Sequence, residues 1–475
     1  ADVSYPADLQ ALARVHGARL NPADPAAAPP AQPVPSGPPR STNVARILRT
    51  AAWATAGLLL TGLGVLTKET ALLVPLLYVL ADRVCFPDSP WWRGLAAPSR
   101  AGQTARLGLA VLVGLIAGLV AWHFADQYGA REFTLTERVL TQARVLCFYL
   151  SLYLLPRIDA FGLYHDYIPI SRDLLAPWTT LPAIGALAAL AWFGVRLLRT
   201  RPLVGFGLLW FFAGHALEST VVPLEIAHEH RNYLPLFGLA VASADGMLLL
   251  WQRQRRVGVA AIAAVLAVLT ATTALRAAQW GHALDFHRYQ VAHHPGSAAS
   301  LNDYARALVL AGDVDGALAA LTTAQHLKPN ELGHYVNYAL TARVNDRPLP
   351  AEVDAALDRL LAAPTLSAFG VRSLSTLGDC LRDVCKVMAP DMARWLKIYL
   401  GTHAPRPNAD YFEFLRGIAL AQMGEIGPAL NALERSWQLS PGFLNPLFEQ
   451  ANIFLALRQW DNAQFNLERI RQAND

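Results

Sequence analysis

The sequence predicts an all-α protein in two parts: a polytopic membrane helix bundle of about seven spans, then a non-cytoplasmic α-solenoid. Three observations carry that expectation. Apolar runs of near-spanning length recur between residues 50 and 280, clusters of arginine fall in alternate connections between those runs, and repeated helical patterns fill residues 279–475. Composition agrees: of 475 residues, 53% are hydrophobic and 16% charged, far from the soluble average.

Taken in order, residues 1–20 carry no assignable pattern, and Asn21–Pro39 is rich in Pro and Ala without apolar periodicity, which reads as a flexible or extended linker. Residue 1 is Ala and no signal-peptide pattern follows it, as in a processed, trimmed or incompletely observed product. Spans are expected at Thr50–Leu66, Glu69–Ala81, Leu107–Phe124, Trp178–Val195, Leu203–Val222, Leu234–Leu250 and Val257–Leu275. Several are at or below the ~20 residues a straight span needs, and the first two could form one tilted helix around Lys68-Glu69. The resulting segments are 1–45, a transmembrane domain at 46–278 and a helical domain at 279–475.

Arginines set the sidedness, because short cytoplasmic loops carry the positive excess. Arg40, Arg46 and Arg49 precede the first span; Arg83, Arg93, Arg100 and Arg106 follow the second; Arg196, Arg199 and Arg201 follow the fourth; Arg253, Arg255 and Arg256 follow the sixth. With those segments cytoplasmic, the Lys68-Glu69 turn, the loops 126–176 and 223–233 and the whole C-terminal domain share the opposite face. That count requires Val139–Leu155 to enter without crossing, and Arg144, Phe148, Tyr149 and Tyr153 suit a helix lying in the interface.

Beyond the last span the sequence follows a 34-residue tetratricopeptide frame. With Pro329 closing one repeat, Ala305 is the small residue of its first helix, Gly312 the turn, and Ala317, Leu321 and Ala324 lie on the second helix. Pro441 in the same frame gives Gly417, Gly424, Ala429 and Leu433, and one further step gives Ala451, Ala463 and Leu467. Residues 330–409 hold at least one more helical pair out of frame. The concave face would bind a partner or cap the membrane part. Cys380 and Cys385 would point apart on a regular helix, so a bridge there demands a helix break.

The chemistry-bearing residues concentrate between two apolar runs, in Glu-Ile-Ala-His-Glu-His-Arg-Asn-Tyr-Leu-Pro at 225–235, with five ionisable residues in seven positions. His215, Glu218, Glu225 and Glu229 are spaced three, seven and four apart and would share one helical stripe, kinked at Pro223. The cluster admits three readings: a divalent metal on His228, Glu229 and His230; a phosphate on Arg231 and Lys68; or a salt-bridged turn with Arg231 on Glu225 or Glu229. A second polar group, Tyr164-His165-Asp166-Tyr167, offers Asp166 as a base or as the orienter of His165, or forms an ordinary turn. Lys68-Glu69, the third polar group, reads as no more than a cap and a snorkelling cation. No basic patch with interleaved aromatics occurs, so nucleic acid is not an expected partner.

Thr67-Lys68-Glu69-Thr70 after a glycine-rich apolar span, the His165-Asp166 loop, and His228-Glu229-His230-Arg231-Asn232-Tyr233-Leu234-Pro235 ahead of the repeats resemble bacterial membrane proteins of the GT-C glycosyltransferase superfamily. In layout the chain is similar to the transmembrane-and-tetratricopeptide O-mannosyltransferases over roughly residues 45–475. The resemblance implies a multi-pass protein of the bacterial inner membrane with its C-terminal domain in the periplasm. It also implies a polyprenyl-phosphate-linked sugar as donor and a protein or glycan acceptor, presented in the tetratricopeptide groove. Lys68, Glu69, Glu218, Glu225, His228, Glu229, His230, Arg231, Asn232 and Tyr233 would bind the carrier and substrate, and His165 and Asp166 would serve the chemistry. The family's acidic first external loop has no counterpart, since no span precedes residue 50 and Asp2 and Asp8 follow none; the expectation is that the N-terminal catalytic spans are missing from view or lost. The alternative function is a non-catalytic, membrane-anchored tetratricopeptide scaffold of an envelope or pilus-type assembly.

Overall fold

The computed structural model describes residues 40–86, 99–381, 384–401 and 406–474; the Pro/Ala-rich linker, Asp2, Asp8 and Arg93 lie outside them. Among the described residues every regular element is helical. The chain divides into a unit Ala1–Gly64 and a unit Val65–Asp475. Helix α1 (Arg40–Thr67) stops before Lys68, whose extended backbone starts a 3-10 turn, Glu69–Leu73, leading into α2 (Val74–Cys85). Lys68-Glu69 therefore separates two helices and does not lie inside one. With 12 residues, α2 reaches only ~18 Å, too short for a hydrocarbon core of ~30 Å, so the expected second span does not cross by itself.

Then follow α3 (Arg100–Ala125), α4 (Leu135–Leu154), α5 (Thr180–Leu197), α6 (Pro202–His215), α7 (Tyr233–Arg253) and α8 (Arg255–Gln279). Three segments among the described residues are long and apolar enough to cross a membrane: Thr180–Leu197, Glu229–Arg253 and Arg255–Gln279. These match the expected fourth, sixth and seventh spans. The apolar stretches at Thr55–Thr67 and Pro202–His215 are shorter. α6 ends at His215 where a span to Val222 was expected, because residues 216–228 leave the helix; the expected stripe of His215, Glu218, Glu225 and Glu229 does not form.

Helices α6 and α7 form a close hairpin. A Cβ on Gly207 would fall 2.2 Å from the Gly238 carbonyl oxygen, and one on Gly238 would fall 2.6 Å from that of Gly207, so only hydrogen at both positions lets the backbones touch. The Trp210 indole N–H donates to the Leu234 carbonyl (2.9 Å), tying α6 to the start of α7. The loop 216–232 is thus held at one end of a rigid hairpin.

α4 begins with a capping box: the Thr134 hydroxyl accepts from the Glu137 N–H, and the Glu137 carboxylate accepts from the Thr134 N–H (2.8 Å). It packs on α5 through Ala143, Ala183 and Leu187. The side chains expected to seat it in the interface find protein instead. Arg144 donates to the Pro169 carbonyl (2.7 Å), Tyr149 is buried, and the Tyr153 and Ser243 hydroxyls are 2.7 Å apart.

Residues 279–475 are successive antiparallel helices: α9 (Ala283–His293), α10 (Ala298–Leu310), α11 (Val314–Leu327), α12 (Leu332–Val344), α13 (Ala351–Leu361), α14 (Ala368–Cys380), α15 (Ala389–Leu400), α16 (Ala409–Gln422), α17 (Ile426–Leu439), α18 (Asn445–Ala456) and α19 (Trp460–Asn474). Most pack chiefly on their chain neighbours, but α14 packs on α12 and α13 reaches α15, and the buried residues form one continuous core. Gly312 and Gly424 close equivalent hairpins at φ of +85° and +78°, where any Cβ would be strained. Ala305, Ala317, Leu321, Ala324, Ala429, Leu433, Ala451 and Ala463 are buried, and Gly417 packs against Leu433. Leu467 is the exception at 48% exposure. Cys380 and Cys385 form a disulfide where α14 ends, at a Cα–Cα separation of 5.2 Å, so the required break is present.

His334 on α12 is buried at 3% exposure, its ring 5.2 Å from that of Phe369. Burial pushes its pKa down to about 4. Between pH 6.5 and about 4 the unfolded chain takes up a proton the folded form refuses, so stability falls as pH falls through that window. Denaturation across this range should show the wild type losing up to about 3 kcal/mol more than His334→Gln. Parallel pH profiles for the two proteins would mean that His334 is not the buried neutral group.

Candidate functional site

Residues 216–228 form an irregular loop whose carbonyls cannot be satisfied by helix bonds. One face of α4 supplies the donors. Arg138, fully buried, donates from Nε to the Thr220 carbonyl (3.2 Å), from Nη2 to that of Glu218 (2.8 Å) and from Nη1 to that of Leu224. Gln142 donates to the Ile226 carbonyl (2.6 Å). The Tyr149 hydroxyl donates to the His228 carbonyl (2.9 Å) and accepts from the His228 N–H (2.7 Å), while Tyr128 donates to the Val221 carbonyl (2.8 Å). Burial lowers the Arg138 pKa to about 10, which still leaves it cationic at neutral pH.

This clamp sets out the cluster. The Arg231 side chain is 6% exposed; it donates to the Glu225 carbonyl and carboxylate (3.1 Å for the latter), with Glu218 3.7 Å from Nε. Glu225, 60% exposed, also lies 3.8 Å from Arg131. Two guanidinium groups therefore converge on one exposed carboxylate. Asn232 is buried with its Oδ1 3.2 Å from His215 Nε2; an amide oxygen only accepts, so Nε2 carries the proton and Nδ1 accepts from the Ser219 hydroxyl (3.0 Å). His215 stacks on Tyr149 at 5.5 Å. His228 caps the 3-10 turn Glu229–Asn232, and its ring lies 4.4 Å from that of the exposed His230. Burial, then His230 and Arg231, hold the His228 pKa below its usual value, so it is neutral at pH 7. Tyr233 is 87% exposed at the first turn of α7.

Glu229 turns the other way. Its Oε1 accepts from the Gly162 N–H (2.6 Å) and lies 3.1 Å from Nε2 of the buried His165, whose Nδ1 is 3.1 Å from the Tyr167 hydroxyl. Burial raises the Tyr167 pKa to about 12, so Tyr167 keeps its proton and donates to Nδ1 while Nε2–H faces the carboxylate. Asp166 accepts from the Ser297 hydroxyl and from the Ala299 N–H (3.2 Å), capping α10, and Tyr164 donates to Asp303 (2.8 Å) on the same helix. Both Asp166 oxygens are thereby engaged by the C-terminal domain. Lys68 and Glu69 are exposed on a turn that packs chiefly on α2, away from this network of contacts.

Among the described residues, no group of three or more His, Cys, Asp or Glu is placed to hold a metal ion, so the metal reading of His228, Glu229 and His230 lacks a ligand set. A cleft of about 570 Å³ opens beside Arg131, lined also by Tyr128, Phe133, Glu137 and Arg172. A smaller cavity of about 280 Å³ shares Arg131 and Glu132 and reaches Lys328, Glu331 and Ser367 of the C-terminal helices. Arg172 pairs with Glu137 at 2.8 Å, and Lys328 pairs with Glu132.

Tyr128, Arg131, Arg138 and Gln142 were not among the site residues expected from the sequence. The available signal was the spacing of Arg138, Gln142 and Tyr149 by four and seven, which puts three hydrogen-bonding side chains on one face of a mixed polar and apolar helix. No family model and no curated protein matches the chain.

Arg138→Met keeps the apolar stem and removes the donors. It should cost on the order of 3 kcal/mol and open residues 216–228 to limited proteolysis. Unchanged melting and cleavage would show that the loop does not depend on Arg138.

Proposed function

We propose that the chain is a membrane glycosyltransferase of the GT-C kind, or its C-terminal portion, taking a sugar from a polyprenyl-phosphate carrier to a protein or glycan acceptor. The observation that carries this reading is the convergence of Arg131 and Arg231 on the exposed Glu225 carboxylate, ahead of the apolar segment Glu229–Arg253. A lipid-borne phosphate has the charge and size to take the place of that carboxylate. Charge grows on the leaving phosphate during transfer, and preoriented guanidinium groups stabilise it without reorganising. Arg231 is preoriented by Glu218 and by the Glu225 carbonyl. His230 and Tyr233 face the sugar or carrier from the exposed edge, and the Glu229–His165–Tyr167 chain and Asp166 belong to the acceptor side; Lys68 and Glu69, on a separate turn, are left out of the carrier site.

The proposal includes a multi-span membrane domain, a periplasmic tetratricopeptide solenoid and residence in a bacterial inner membrane. It is supported by the arginine clusters at Arg196–Arg201 and Arg253–Arg256, which flank opposite ends of α6 and α7 from the 216–232 loop. The scaffold reading has its own support: His165 and Glu229 are hydrogen-bonded to each other, and Asp166 and Tyr164 are engaged by Ser297 and Asp303 of the C-terminal helices.

Two measurements divide these readings. Arg131→Ala and Arg231→Ala should each weaken polyprenyl-phosphate binding at least tenfold, about 1.4 kcal/mol, in detergent-solubilised protein that still elutes as folded. Unaltered binding in Arg131→Ala, the more exposed of the two, favours the scaffold. For sidedness, a cysteine replacing Leu310 should react with an impermeant maleimide on intact cells, and one replacing Gln254 only after permeabilisation. The reverse labelling ends the topology.

A further inference from the structure

The turn from residue 172 to residue 178 is closed by its own hydrogen bonds. The Arg172 N–H donates to the Ala176 carbonyl (2.8 Å), the Asp173 carboxylate accepts from the N–H groups of Leu175 (2.6 Å) and Ala176 (2.8 Å), and the Leu181 N–H donates to the Leu174 carbonyl (3.1 Å). A turn fixed in this way has no backbone need for apolar side chains. It nevertheless exposes three of them: Leu174 at 48%, Leu175 at 67% and Trp178 at 73%. The polar partner goes elsewhere, since the Arg172 guanidinium reaches Glu137 (2.8 Å) and lines the cleft beside Arg131.

What covers this tip follows from where the chain goes next. The Leu181–Leu174 bond fastens the turn to the first turn of α5, a segment of spanning length and hydropathy with only 11% of its window buried inside the protein. Leu181 itself is 47% exposed, so the apolar surface of the turn continues into the surface that α5 offers to lipid. A tryptophan just ahead of a span, beside leucines and above an arginine, matches the amphipathic demands of the interfacial layer. A protein partner would not need the surface to be continuous with a span; lipid does.

We propose that the Leu174–Trp178 turn is inserted in the membrane surface and seats the Arg131–Arg172 cleft at headgroup depth. Insertion stands on the turn alone; that the cleft meets a lipid-borne phosphate there rests on the function proposed above. The wedge sets the depth of the cleft because Arg172 belongs to both: its backbone closes the inserted turn and its side chain lines the opening.

The test uses the full chain in nanodiscs of phosphatidylethanolamine and phosphatidylglycerol, with Cys85→Ser and Cys147→Ser removing the free thiols. An environment-sensitive fluorophore is attached at Leu175→Cys, and separately at Leu310→Cys, a leucine 79% exposed in the C-terminal helical domain. Lipids carrying a quencher high on the acyl chain should quench the first label several-fold more than the second. Trp178→Cys serves as the second probe should Leu175→Cys not fold. Equal quenching at the turn and at Leu310 overturns the proposal, and copy-to-copy cross-linking through Leu175→Cys in that case would identify a second chain as the cover. Because the readout is depth, failure of the wild-type chain to bind polyprenyl phosphate with the quenching intact would reject the proposed function and leave the insertion standing.

Discussion

The candidate site depends on how one buried arginine is satisfied. Residues 216–228 leave the helical path between α6 and α7, so their carbonyls lose the intrahelical donors that make apolar surroundings tolerable. Arg138 answers with a planar fork that reaches three of them at once, and Gln142, Tyr149 and Tyr128 answer three more positions. A guanidinium is the only side chain with enough donors in fixed geometry to do this from a single position. The cost of burying its charge is offset only while all those carbonyls are aimed at it. The loop and the arginine therefore hold each other in place.

From that clamp the charged residues divide by direction. Asp166, Tyr164 and Glu132 bond to Ser297, Asp303 and Lys328 of the C-terminal helices, while Glu229 and His165 bond to each other beside them, with the His165 ring 6.1 Å from that of His294. Arg131, Glu225, His230 and Tyr233 face outward and keep capacity for a ligand. Arg231 stands between them, buried but oriented toward the exposed carboxylate.

Membrane packing contributes the rigidity. The facing glycines 207 and 238 bring α6 and α7 to backbone contact, which shape alone can stabilise where lipid removes the hydrophobic drive for helix association. The loop at their end thereby has a fixed base, and the α4 clamp has a fixed target.

Much of this architecture was legible in the chain. Helical periodicity, apolar run length and the repeat frame pointed to helix as the regular element found among the described residues, to seven spans of which three have spanning length and hydropathy, to the hairpin turns at Gly312 and Gly424, and to the buried positions around Ala317, Leu321, Ala429 and Leu433. These are local properties, set by side-chain spacing and by the φ that only glycine adopts freely. The condensed ionisable stretch at 225–235 was equally plain as a place needing partners. Which partners it has was decided by tertiary structure. Nothing in the spacing of Glu218, Glu225 and Arg231 reveals that α6 stops at His215 and that the carbonyls of Glu218 and Thr220 beyond it are taken by Arg138, some eighty residues earlier in the chain. Nor could the sequence reveal that Asp166 would cap α10 or that His165 would be buried against Glu229, since the first needs a C-terminal helix at the loop and the second joins residues 64 apart in the chain. Composition and periodicity determine which surfaces must be buried and which groups must be paired; the pairing itself is a long-range choice, made by whichever donors the fold brings within about 3 Å.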